Sequence, residues 1–301
     1  MLSKKHFTFS ALSVFFALVA CLLSGCGPAA ALNATTSKNN YDRAKGIAYG
    51  PSARQRLDVY APKAAPVASP PAMGTSRPPP ERAVIVFIYG GSWQNGDKDT
   101  YMFAGAALAA HGYVVVIPDY RVYPETAFPG FVEDAAAAAK WAHDHAAEFG
   151  GDPKRIFLMG HSAGAEIAGL LAFDGHYLER ENLSPRDFKG FVGLSGPYDF
   201  LPLTDPKLME VFPETSRQAS QPINFVRPGA IPVFLGVGDK DKTVDPGNTE
   251  RLAAKLRAAG DFVELRHYPG LGHAPVVGAL AAPFHRIEPV FDDVTQFIDS
   301  H

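Results

Sequence analysis

Ser162 lies between Gly160 and Gly164 in "RIFLMGHSAGAEIAGLL" (155–171), where a short apolar run turns into a helix-like one. A serine hydroxyl does chemistry when it is held clear of the backbone beside a proton acceptor. A turn this sharp has no room for flanking side chains, which accounts for both glycines. It also sets the hydroxyl over the free N–H groups of a helix start, where negative charge is favoured. A plain turn that happens to hold a serine is the competing reading. The strand before it and the helix after it favour a nucleophile.

Such a serine needs a base, and the base needs an acid to orient it. "DKDKTVD" (239–245) follows one apolar run and "PGLGHAP" (269–275) follows the next, with His273 between glycine-rich turns. Asp239 and Asp241 compete for the acid; Asp241 is preferred because it sits deeper in the loop and precedes Val244. His267 lies inside a strand pattern and is the weaker base, and His161 is expected to point away across the turn. In "YGGSW" (89–93), Gly90 and Gly91 let the backbone fold back, so their N–H groups with that of Ala163 would face a developing oxyanion. Ser92 and Trp93 follow at the edge of the same loop and are expected to touch substrate. Asp239 to Glu250 imitates a calcium loop, but its sixth position is Val244 where the sharp turn needs glycine. With no C-x-x-C, H-E-x-x-H or phosphate loop either, no metal or cofactor is expected.

These residues all follow apolar runs that must form strands. "RAVIVFIYG" (82–90), "YVVVIPDY" (113–120), "RIFLMG" (155–160), "FKGFVGLSG" (188–196), "IPVFLGVG" (231–238) and "DFVELRHYPG" (261–270) read as strands, mostly buried on both faces. Helical segments alternate with them: 100–112 ending at Gly112, 129–151 from Pro129 to Gly150, 163–173, 248–260 and 291–301. This alternation predicts one α/β domain, a mainly parallel sheet with helices on both faces and ligands at the carboxyl ends of the strands. "RQRLDVYAP" (54–62) reads as an exposed strand, and the Pro/Ala-rich stretch 63–81 as a loop insertion. Residues 197–230 read as an irregular roof over the site, bringing Tyr198, Phe200, Phe212 and Phe225, of which Tyr198 and Phe200 are expected to touch substrate and all four could equally be core. Glu166, one helical turn past Ser162, could border the site but reads better as part of a solvated helix face.

The first 25 residues are of another kind. Lys4 and Lys5 precede an apolar run that stops at Leu23-Ser24-Gly25-Cys26, which resembles the lipobox of an exported bacterial lipoprotein. Residues 1–25 are thus expected to be a signal peptide, Cys26 the lipidated anchor on a membrane's periplasmic side or the cell surface, and 26–45 a tether to the domain at 46–301. Ordinary cleavage near "PAAALNA" is the rival. Cys21 would be lost with the signal, leaving no pair for a disulfide. Removing two lysines and no acid takes the net charge from -3 to -5, which excludes a nucleic-acid partner and leaves membrane attachment to the lipid.

Taken in order, "YGGSWQNGDK", "VVVIPDYRVYPE", "GHSAGA", "GDKDKTV" and "YPGLGH" resemble the carboxylesterase branch of the α/β-hydrolases. The nearest resemblance is to lipase/esterase-like enzymes grouped with hormone-sensitive lipase and to bacterial feruloyl-esterase-like proteins. It implies Ser162, Asp241 and His273 as the triad, and Gly90, Gly91 and Ala163 as oxyanion donors. It also implies an α/β-hydrolase fold acting as a serine carboxylesterase on small or short-chain esters, without cofactor. The chain departs in placing Tyr89 where the family has His, and in offering no segment for a large cap domain. A serine peptidase of the same fold typically reads G-x-S-x-G-G, whereas Ala165 stands here. A lipid-anchored binding protein that has lost the chemistry is the remaining alternative.

Overall fold

The structure is a computed structural model that describes residues 27–37, 39–63, 82–286 and 288–301. The expected signal peptide with Cys26, and nearly all of the 63–81 insertion, lie outside the described residues. Eight strands form one sheet: β1 (Tyr41–Ala48), β2 (Arg56–Pro62), β3 (Arg82–Ile88), β4 (Val114–Pro118), β5 (Gly151–His161), β6 (Gly190–Leu194), β7 (Val233–Gly238) and β8 (Val263–Tyr268). Their order across the sheet is β1-β2-β4-β3-β5-β6-β7-β8. The ladder is parallel from β4 to β8, while β1 and β2 run antiparallel at one edge. β4, β6 and β7 are buried along their whole length, as their continuous apolar runs require.

Helices fill the crossovers on both faces, giving the α/β-hydrolase fold. They are α1 (Pro28–Ala34), α2 (Met102–His111), α3 (Gly130–His145), α4 (Ala163–Phe173), α5 (His176–Glu179), α6 (Pro206–Val211), α7 (Gly247–Ala258), α8 (His273–Gly278) and α9 (Val290–Ser300). α2 stops where Gly112 takes φ 135°, and the extension of α3 stops at Gly150 with φ 77°; only glycine adopts these at low cost. α9 buries Val290, Phe291, Val294, Phe297 and Ile298, the stripe of a helix lying on a sheet. Phe297 in turn packs against Phe157 and Phe234. Between β6 and β7 the chain carries only α6 and short 3-10 turns, so among the described residues no large cap is inserted there.

The N-terminal stretch differs from expectation. Residues 28–34 form α1 and residues 41–48 form β1, so 26–45 is not a free tether over its described part. Asn33 Nδ2 donates to the Asp99 carbonyl (2.8 Å), and the Phe103 N–H donates to Asn33 Oδ1 (2.9 Å). Leu32 packs against the core beside α8, where a Cβ on Gly278 would lie 3.7 Å from its Cδ1, and Tyr41 is buried against Tyr60. A short polar composition conceals these anchors, because each is one side chain finding a distant partner. The folded unit therefore begins well before residue 46.

Candidate active site

Ser162 links β5 to α4 with φ 57° and ψ −128°, a conformation that costs a non-glycine residue about 1–3 kcal/mol and must be imposed by its surroundings. The surroundings are tight. A Cβ on Gly164 would lie 2.1 Å from the Ile88 carbonyl oxygen, and one on Gly160 would lie 2.2 Å from the Gly164 carbonyl oxygen. A Ser162 N–H···O=C bond to Leu194 (2.9 Å) ties the turn to the end of β6. Glycine is thus the residue that fits on both flanks, and the hydroxyl is presented at the helix start.

The loops after β7 and β8 bring the other two groups to it. They press together so closely that a Cβ on Gly238 would meet the Leu271 carbonyl oxygen at 2.5 Å, and the Lys240 N–H donates to that same carbonyl (2.9 Å). His273, first residue of α8, places Nε2 2.8 Å from Ser162 Oγ and Nδ1 2.8 Å from Asp241 Oδ2. The other Asp241 oxygen accepts from the Thr243 and Val244 amides, 2.9 Å each, so its buried carboxylate is fully satisfied. Asp239 and His267 form a separate exposed pair at 2.8 Å. Asp241, rather than Asp239, therefore joins His273.

β3 delivers the loop at 89–93. Tyr89 is buried; its hydroxyl donates to Asp119 Oδ1 (3.0 Å) and accepts from Arg54 (3.1 Å), and its ring stacks on Tyr120 at 4.7 Å. Standing where the resembled family has histidine, Tyr89 thus supports the loop through a hydroxyl bonded at both ends. Gly91, Ser92 and Trp93 follow with φ 153°, 53° and 58°, a run of positive values that rotates successive amides to one side. Among the described residues no protein acceptor is found for the Gly91 and Ser92 N–H groups. Gly90 packs against the nucleophile, where a Cβ would come within 2.7 Å of the Ser162 Cβ. Gly91, Ser92 and Ala163 are consequently amides free to meet an oxyanion. No sequence signal marked Ser92 for this, since a positive φ at a non-glycine residue leaves no trace in composition.

A cavity of about 400 Å³ opens on Ser162. Trp93, Phe200, Leu201 and Leu208 form its apolar wall, while Asp199, Asp245, Asn248 and Arg251 form a polar one. Ser92, Trp93 and Phe200 line it as expected. Tyr198 does not: it is buried beneath, filling space that Gly193 and Gly196 leave open. Phe212 stands behind Trp93, edge to face at 4.7 Å. Phe225 lies with Phe173, Arg186 and Arg227 in a smaller depression of about 200 Å³ that holds none of the site residues.

Glu166 also departs from expectation. It is not on a solvated helix face but wholly buried, accepting a bond from Trp93 Nε1 (2.9 Å) that fastens the wall of the cavity to α4. Burial raises its pKa well above the ordinary carboxylate value. The signal was a single acid in the otherwise apolar "AGAEIAGLLAF": a helix apolar all round is buried all round.

A nucleophilic hydroxyl, a base, an orienting acid, free amides and an apolar slot at the carboxyl ends of parallel strands define a hydrolase-type site on an α/β-hydrolase scaffold. Solved structures agree on the scaffold. Esterase B from Lactobacillus rhamnosus superposes with a TM-score of 0.75 at 18% identity, over 96% of this chain and 95% of its own. The BD-FAE family model matches residues 73–256, and the chain belongs to that family. Among curated relatives, probable isoprenylcysteine alpha-carbonyl methylesterase ICMEL1 of Arabidopsis thaliana is 34% identical over 84% of this chain and 55% of its own length. Carboxylesterase NlhH of Mycobacterium tuberculosis is 30% identical over 66% of this chain and 68% of its own. The chain thus spans little more than half of the first of these relatives.

Proposed function

We propose that the chain is a serine carboxylesterase acting on small or short-chain esters through an acyl-enzyme. The observation that carries this reading is the hydrogen-bonded line from Ser162 through His273 to Asp241 at the mouth of an apolar cavity. His273 takes the Ser162 proton as Oγ attacks the ester carbonyl, and Asp241 orients the ring and stabilises the imidazolium. The amides of Gly91, Ser92 and Ala163 receive the oxyanion. His273 returns the proton to the leaving alcohol. It then activates water, and the acid departs. The names of the curated relatives, a methylesterase and a carboxylesterase, point to ester substrates of the same kind.

The test is hydrolysis of nitrophenyl esters from acetate to decanoate by the full chain beside Ser162→Ala. We expect turnover that falls as the acyl chain outgrows the cavity, and a loss of at least about 10³-fold in the variant. Equal rates in both proteins would overturn the nucleophile, and no turnover on any ester would leave a binding protein on the same fold. We further propose that the protein is exported and held to a membrane by a lipid on Cys26. Its wild-type form should then partition into detergent, and Cys26→Ser into the aqueous phase; identical partitioning would refute the anchor.

A further inference from the structure

His161, the residue before Ser162, is used by none of the steps above, yet it touches each part of the machinery. Its Nε2 lies 3.1 Å from the His273 carbonyl oxygen and its Nδ1 lies 3.3 Å from the Tyr101 hydroxyl. A carbonyl oxygen can only accept, so Nε2 carries the proton; Nδ1 is then bare and accepts from Tyr101. The contacts therefore select one neutral tautomer. The ring stands 4.8 Å from the His273 ring, centre to centre, and lies so close to Gly90 that a Cβ there would approach Nδ1 to 3.2 Å. Burial and the neighbouring His273 push the His161 pKa down to about 3, so it does not take the proton that His273 must hold in each half-reaction.

We propose that His161 is a positioning residue for the reaction: as the neutral Nε2–H tautomer, fixed by Tyr101, it holds the backbone of His273 in register with Ser162. The inference rests on the triad reading above. His273 is otherwise placed by its side chain, through Asp241 on one side and Ser162 on the other, and by the first turn of α8. α8 is a single short helix beginning at that residue, so its first carbonyl is a natural point to hold. Because His161 is joined covalently to Ser162, base and nucleophile move together. Tyr101 extends the clamp to the oxyanion loop, since its ring stacks on that of Tyr89 at 5.8 Å.

Four variants of the full chain test this: His161→Leu, His161→Gln, Tyr101→Phe and Ser162→Ala. Leucine fills the volume without a donor, whereas glutamine can still donate to the carbonyl and accept from Tyr101. We expect His161→Leu to lose about ten- to a hundredfold in kcat, the scale of a slight misplacement of reacting groups, with KM nearly unchanged. The rate at which an organophosphate inactivates Ser162 should fall in step. His161→Gln should recover most of both rates, and Tyr101→Phe should fall between them. Full kcat in His161→Leu or in Tyr101→Phe overturns the proposal. So does His161→Gln failing as badly as His161→Leu, which would mean that the ring merely fills space. Activity surviving in Ser162→Ala would instead remove the triad reading itself, so the two failures are distinguishable.

Discussion

Ser162 and His273 are legible in the sequence because each sits in a glycine-flanked turn directly after an apolar run, and there chain order alone brings them to one end of the sheet. Asp241 needs more. Only Lys240 separates it from Asp239, and what divides them is that the Thr243 and Val244 amides turn one carboxylate inward while His267 holds the other at the surface. Asp241→Asn should therefore lower kcat by about 10³- to 10⁴-fold, the effect of leaving a catalytic histidine without its orienting charge. Asp239→Asn should change it little. Comparable losses in both variants, read by the same ester assay, would reverse the assignment. Glu166 and Tyr198 were misplaced for a common reason: burial in α4 and behind Gly193 depends on what packs from other parts of the chain, not on local pattern.

At the scale of elements, the parallel strands were readable from continuous apolar runs, and helix ends from Gly112 and Gly150. β1 and α1 were not. β1 is an edge strand with only part of one face buried, so its residues carry little apolar period. α1 is held by Asn33 and Leu32, through contacts to segments about seventy and well over two hundred positions away. Those contacts fall on either side of Tyr101 and on the helix that begins with His273. Starting the chain at residue 39 rather than at Gly27 should lower the melting temperature by several degrees, the scale of losing about 1 kcal/mol or more in a domain of this size. The same cut should lower kcat more than it raises KM. An unchanged melting temperature and rate would show α1 to be idle.

The whole molecule carries two buried groups whose titration pulls stability in opposite directions. His161 stays neutral in the fold down to about pH 3, whereas an unfolded histidine takes up a proton below about 6.5. Stability is therefore lost as pH falls through that window, by about 1.4 kcal/mol for each pH unit. Glu166 keeps its proton in the fold above the pH at which an unfolded glutamate releases it, so its contribution is present at low pH and declines as pH rises. Glu166→Gln preserves the acceptor for Trp93 and removes that decline. Its melting temperature should gain on the wild type between about pH 5 and about pH 8, and a constant gap would refute the account. Seen mechanically, the first helix and the proposed base form one unit. A pull on the chain ahead of Pro28 should load the Asn33 bonds and the seat of Leu32 beside α8 before it loads β1. Tension at that end should then reach the segments bearing Tyr101 and His273 early, and turnover should slow under a force that leaves β1 paired with β2.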